Sequence, residues 1–175
     1  MGTGGVKGAV VDAGPLIHLT EIGCLPLLRI FDTLHIPHAV WSETVERDHL
    51  SEADVLELGN VQRITLSRTD VARFIEENGL ERLHIGECEC LCLCHQTGVP
   101  ILLTDDLAVR EAAKGLNLTP VGSLGVVAKA YRLQDISLTD AERHIVDLYE
   151  VSSLFVTRAI VELAIKRLHE RSERG

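Results

Sequence analysis

Four acidic stations recur along the chain in surroundings that suit chemistry. Asp12 closes the short apolar run Ala9-Val10-Val11 and is followed at once by Ala13-Gly14-Pro15 and a helix-like stretch. Glu43 lies early in a helical segment, Glu87 follows Gly86 at the opening of another, and Asp105-Asp106 follow the apolar run Ile101-Leu102-Leu103-Thr104. Carboxylates held about 5 Å apart repel by about 3 kcal/mol per pair at an effective dielectric of about 20, so some stay protonated unless a cation joins them. A hard dication such as Mg²⁺ or Mn²⁺ removes that cost, accepts oxygen ligands and keeps waters for a substrate phosphate. The chemistry best served is phosphodiester hydrolysis, with one ion activating water and another stabilising the leaving oxygen. Each acid also has a plainer explanation. Asp12 and Asp106 have the form of helix N-caps, and Glu43 and Glu87 that of solvated helix residues. Taken together, the four occur where a single cleft would need them.

The elements that must hold these acids follow from the apolar pattern. Strands are expected at Gly8–Val11, Leu34–Ile36, Val61–Leu66 with Gln62 outward, Ile101–Leu103 and Leu118–Val121. Between them come helices at Pro15 to about Gly23, around Leu25–Phe31, and after Pro37, which suits a first helical turn and leads to Trp41, Glu43 and Val45. Asp48–Leu58 is polar but helical in pattern. A helix capped by Ser67 or Thr69 stops at Asn78-Gly79, and another runs from about Gly86 to Gln96, closed by Gly98 and Pro100. Leu107–Lys114, a helix opened by Gly122 or Ser123 and reaching Tyr131, Asp140–Tyr149 and Leu154–Arg171 complete the chain. Strands alternating with helices argue for an α/β fold with a parallel sheet covered on both faces. In such sheets functional side chains gather beyond the carboxyl ends of the strands. Asp12 and Asp105-Asp106 should therefore meet at one edge.

The chain has 175 residues, 46% of them hydrophobic, enough for one sizeable core. One domain is expected over residues 8–171, with 139–171 as C-terminal helices and the glycine-rich residues 1–7 as a loose leader. No apolar stretch approaches the roughly 18–20 residues of a membrane span, and a cytoplasmic, soluble protein with no membrane contact is expected. Lys plus Arg number 17 against 26 Asp plus Glu, a net charge of −9. Such a surface repels a polyanion at long range and disfavours binding through a broad basic face, although bound dications reverse the sign where acids are densest. Four of the five cysteines, Cys88, Cys90, Cys92 and Cys94, crowd into seven residues. Their spacing places Cys88 with Cys92 and Cys90 with Cys94 on different helix faces, so they suit buried packing better than a thiolate metal cluster.

Val10-Val11-Asp12-Ala13-Gly14-Pro15-Leu16-Ile17, Ile36-Pro37-His38-Ala39-Val40-Trp41-Ser42-Glu43, Gly86-Glu87 and Leu103-Thr104-Asp105-Asp106 resemble the successive acidic motifs of the PIN-domain family. The resemblance spans about Gly8 to Tyr131 and is closest to a prokaryotic subgroup similar to the toxins of VapBC-type toxin–antitoxin pairs. It implies a three-layer α/β/α fold with a mainly parallel sheet of about five strands. It also implies a metal-dependent endoribonuclease acting on RNA. Asp12, Glu43, Glu87 and Asp106 would hold Mg²⁺ or Mn²⁺, with Asp105 as a further or alternative ligand and Thr104 orienting a carboxylate or water through its hydroxyl. A small antitoxin protein and a homodimer are the partners it suggests. The third station departs from the commoner family pattern, with glutamate where aspartate is usual.

Two other functions compete. An aspartyl phosphotransferase or phosphatase would also use a strand-end aspartate, but there is no Asp-x-Asp at the first strand. A non-catalytic binding or assembly module is the other, and four intact acids argue against it. Glu89 falls about 200° around a helix from Glu87 and is left out of the site. None of the eight histidines shows a paired metal spacing on one helix, so histidine ligation is not expected. Arg110 and Lys114 suit a solvated helix face better than a phosphate contact. Val156, Ile160, Leu163, Ala164 and Ile165 are expected to be core, with a dimer or antitoxin surface as the alternative.

Overall fold

The computed structural model describes residues 6–174. Strands β1 (Val6–Val11), β2 (Phe31–Pro37), β3 (Val61–Ile64), β4 (Ile101–Leu103) and β5 (Thr119–Val121) form one sheet in the order β3-β2-β1-β4-β5, every neighbouring pair parallel. Helices cover both faces, as in a three-layer α/β/α arrangement: α1 (Ala13–Glu21), α2 (His38–Thr44), α3 (Glu52–Glu57), α4 (Arg68–Asn78), α5 (Ile85–Thr97), α6 (Leu107–Gly115), α7 (Ser123–Arg132), α8 (Leu138–Glu150) and α9 (Arg158–Ser172). A 3₁₀ helix, Leu25–Ile30, joins α1 to β2. The sheet is wholly parallel because each return runs through a helix, and its central strands are buried on both sides, as their unbroken apolar runs require. Val10, Val11, Leu102 and Leu103 are fully buried.

Strand order and register place the acids. The first strand lies in the middle, the chain winds outward through β2 and β3, then returns to the other side of β1 as β4. The crevice at such a reversal is where ligands bind in α/β sheets. Val11 pairs with Leu103, and the Asp12 N–H donates to the Leu103 carbonyl at 2.9 Å. The register therefore sets Asp12 beside Thr104-Asp105-Asp106 at the carboxyl edge.

Several boundaries differ from expectation for identifiable reasons. β1 starts at Val6, two residues before Gly8, because Val6 already pairs with Phe31; the expected leader otherwise falls on residues 1–5, outside the described residues. Phe31 opens β2 and does not end a helix. Pro37 is the N-cap of α2, with extended backbone, and not part of its first turn. The stretch Asp48–Leu58 is helical only from Glu52, since Asp48 adopts a left-handed φ of 58° and Ser51 provides the cap. β3 is a short edge strand without the expected alternation. In α9 the buried seam is Val161 and Leu168, with Ala164 and Ile165 partly buried. Ile160 and Leu163, expected in the core, are 49% and 46% exposed. The other stops hold: Gly79 and Gly98, both with positive φ, end α4 and α5.

The cysteine-bearing α5 is the most enclosed helix around the site. It packs against β1, β2 and β4 on one side and α2 and α4 on another, and all four of its cysteines are buried and free. Burial pushes the Cys88 thiol up to about 11 and Cys94 up to about 12, and Cys90 well above the ordinary thiol range. Thiols held protonated in this way are packing groups and poor metal ligands.

Candidate metal-dependent active site

Asp12, Glu43, Glu87, Asp105 and Asp106 line one cleft of about 390 Å³, together with Gly14, His18, His84 and Phe155 among other residues. The acids come from four separate stretches of chain. Thr104, fully buried behind them, donates its hydroxyl to Asp12 Oδ2 at 3.0 Å and accepts the Asp106 N–H at 3.3 Å. It thus ties the first station to the last.

Most of these acids do two jobs. Asp12 is the N-cap of α1 and accepts the Ala13 N–H at 2.8 Å on Oδ1. Asp106 caps α6 through the Val109 N–H at 3.0 Å. Glu87, at the third position of α5, reaches back to the His84 N–H at 2.9 Å. Asp105 caps α7: Oδ1 accepts the Ser123 N–H at 2.7 Å, and Oδ2 accepts the Ser123 hydroxyl at 2.6 Å and His18 Nδ1 at 2.7 Å. The plain capping explanation for Asp12 and Asp106 is therefore correct, and it does not compete with a shared site. The starts of α1, α5 and α6 open on the cleft and that of α7 reaches it through Asp105, and their N–H groups and positive dipole ends make gathering negative charge there less costly.

Glu43 is positioned differently. Trp41, 4% exposed, anchors α2 in the core and lies under the Arg63 guanidinium at 5.0 Å. Glu43, two residues on, faces away from Trp41 and into the cleft. Pro37 has no side chain to cap α2, and Glu89 does so from α5, accepting the Ala39 N–H at 2.9 Å. Its direction away from Glu87, foreseen from helical geometry, points it at the base of α2. Gly86 lets α5 approach closely: a Cβ there would stand 3.4 Å from Glu43 Oε2.

Electrostatics mark Asp12 as the pivotal acid. Burial, and then the charges of Glu87 and Glu43, raise its carboxyl to about 6 against the opposing hydrogen bonds from Ala13 and Thr104. Burial likewise raises Glu87, with Asp106 and Glu43 adding to it. Among the described residues no Lys or Arg forms a salt bridge with Asp12, Glu43, Glu87 or Asp106. Asp106 Oδ2, Glu87 Oε1 and both Glu43 oxygens accept no hydrogen bond there. An uncompensated, all-oxygen donor set with open lone pairs suits a hard dication. Among the described residues no three His, Cys, Asp or Glu side chains are already arranged around a single ion point. Glu43 and Asp106 are exposed, and side chains of that kind turn toward an ion at little cost.

A PIN-domain family model, DUF3368, matches residues 8–170. The chain belongs to the PIN-domain family. Membership covers the sheet, all the acidic stations and also α8 and α9, which extend beyond the Gly8–Tyr131 span that the motifs alone suggested. PIN domains are in general nucleases, so a nuclease-type function is the general assignment for this PIN domain. No curated protein and no solved structure matches the chain significantly. No helix among the described residues is long and apolar enough to cross a membrane.

Motif reading missed several neighbours of the acids. His18 and Gly14 lie on the cleft side of α1, four residues apart, a helical spacing visible in the sequence once Asp12 is placed at the start of α1. Ser123 and Glu89 had no such local signal. Arg110, expected on a solvated face, donates to the Thr104 carbonyl at 3.2 Å and braces the strand end. Lys114 stands 3.8 Å from Glu111 on the helix surface, as expected. The strap between α8 and α9 is held by Glu21, which accepts the Ser153 N–H at 2.7 Å and the Ser153 hydroxyl at 2.8 Å. The strap presents Phe155, 97% exposed, at the cleft wall.

Proposed function

We propose that this PIN domain is a metal-dependent endoribonuclease that hydrolyses RNA phosphodiester bonds at the cleft of Asp12, Glu43, Glu87 and Asp106, with Mg²⁺ or Mn²⁺ as cofactor. The observation that carries the proposal is the convergence of these four carboxylates at the switch point of a parallel sheet, with no Lys or Arg salt bridge to any of them among the described residues. A bound dication would supply the missing positive charge, polarise water for attack on phosphorus and stabilise the leaving oxygen. The chain's own residues do the rest. Asp12 is the fixed ligand, both its oxygens held by Ala13 and Thr104. Thr104 sets the spacing between Asp12 and Asp106. Glu43, Glu87 and Asp106 have free oxygens for the ion or for the water's proton.

An aspartyl phosphotransferase fits less well, because the residue two after Asp12 is Gly14 and there is no Asp-x-Asp at the end of β1. We further propose that the protein is the toxin of a toxin–antitoxin pair, as the sequence resemblance implies. Phe155, Leu107 beside Asp106 and Ile85 before Glu87 are 97%, 78% and 57% exposed. These apolar side chains near the acids give a small antitoxin something to cover while it blocks the cleft. Ile160 and Leu163 on α9 are the corresponding candidates for a homodimer contact. Cleavage of an RNA pool by purified protein with Mn²⁺, with and without EDTA, tests the enzyme assignment. Co-expression with the product of a neighbouring small reading frame, followed by loss of cleavage, tests the toxin assignment.

A further inference from the structure

His18 stands on the cleft side of α1 with one ring nitrogen fixed and the other free. Its Nδ1 lies 2.7 Å from Asp105 Oδ2, and a carboxylate only accepts, so Nδ1 carries the proton and donates it. Asp105 is itself immobilised by the Ser123 N–H and hydroxyl. A Cβ on Gly122 would fall 2.8 Å from Asp105 Oδ1, so backbone closes that side of the carboxylate. His18 Nε2 has no protein partner among the described residues, and the ring, with a side chain 14% exposed, borders the cleft shared by Asp12, Glu43, Glu87 and Asp106. A carboxylate that holds Nδ1–H and thereby directs the Nε2 lone pair is the arrangement that orients metal-bound imidazoles.

We propose that His18 is a nitrogen ligand of the metal in this cleft, with Asp105 orienting it from behind and not itself a ligand. The proposal rests on the metal-dependent reading above. It exchanges Asp105, whose oxygens accept three hydrogen bonds, two of them on the Oδ2 that faces His18, for a neighbour whose Nε2 has no partner among the described residues. It also bears on which ion the site prefers: imidazole suits transition dications, whereas Mg²⁺ favours oxygen and water. The cleft should therefore select Mn²⁺ over Mg²⁺. The imidazole's partner, Asp105, lies 87 residues away in the chain, so no local spacing announces the pair.

Pulsed electron paramagnetic resonance on Mn²⁺-loaded protein reads the bond directly. Wild-type protein should show a ¹⁴N coupling that is lost in His18→Gln and kept in His84→Gln, the other cleft histidine. Mn²⁺ affinity should fall by about 10- to 100-fold in Asp105→Asn, the range for loss of an orienting carboxylate, with the advantage over Mg²⁺ reduced in parallel. Circular dichroism on each variant confirms folding, and the wild-type spectrum stands without any variant. Bound Mn²⁺ with no ¹⁴N coupling, or a coupling that survives in His18→Gln, overturns the ligand assignment and leaves the carboxylate metal site intact. Failure of Mn²⁺ to bind the folded wild type overturns both.

Discussion

Replacing Asp12 with asparagine should make the protein more stable while abolishing its activity. The buried carboxyl titrates at about 6 in the folded chain against 3.8 for an unperturbed aspartate. Folding therefore favours the protonated form, and between these two values the folded chain binds a proton that the unfolded chain has lost. Stability falls as pH rises through that window. The cost is absent below about 4 and fully present above about 6. A shift of about two units corresponds to about 3 kcal/mol, and Asp12 is only 6% exposed, so solvent screening does little to reduce it. The asparagine side chain would accept the Ala13 N–H as before and carries no charge. In EDTA at pH 7.5, urea unfolding of Asp12→Asn should show a gain of about 3 kcal/mol over the native chain, or about 6–12 °C in Tm. At pH 4 the two should converge. Mn²⁺ should stabilise the native chain and have little effect on the variant. A variant less stable than wild type at pH 7.5, or a gain that persists undiminished at pH 4, would refute the account of Asp12 as a buried charge awaiting a cation.

Other expectations follow from the same contacts. Glu89→Ala removes the cap of α2 and should cost about 1 kcal/mol, with cleavage reduced through misplacement of Glu43 but not abolished; loss as complete as in Asp12→Asn would place Glu89 in the reaction itself. Gly122→Ala forces a Cβ to within 2.8 Å of Asp105 Oδ1 and should destabilise by about 1–3 kcal/mol, measured by thermal denaturation, with an unchanged Tm contradicting the packing described. The thiols of Cys88, Cys90, Cys92 and Cys94 should stay unreactive toward an aromatic disulfide reagent in the folded chain and react together on unfolding. Rapid native labelling would show that α5 opens.

The parts of this molecule that local chemistry determines were legible in its sequence. Apolar runs buried on both faces announced a parallel sheet, and acids immediately after β1 and β4 had to meet once those strands were neighbours. Contacts between distant segments were not legible. Glu89 was correctly placed away from Glu87, yet only packing of α2 against α5 shows what it reaches. His18 and Ser123 meet Asp105 through the approach of α1 and α7, which no spacing encodes. Asp48 breaks its helix by adopting a left-handed conformation that a polar, helix-compatible pattern conceals. The seam of α9 runs through Val161 and Leu168 instead of Ile160 and Leu163 because α8, not the sheet, is its main neighbour, and a helix on a helix buries a narrower stripe than one on a core.

Hydrolysis of RNA at the acidic cleft with a bound dication, as proposed above, is open to a direct cleavage assay. Purified protein should be incubated with a structured RNA pool and Mn²⁺, beside an EDTA control and the Asp12→Asn variant, with Mn²⁺ binding measured in parallel. Internal cleavage that requires the metal and disappears in both controls is the expected result. Cleavage that persists in EDTA or in Asp12→Asn, or folded protein that binds Mn²⁺ and leaves every RNA in the pool intact, would contradict it.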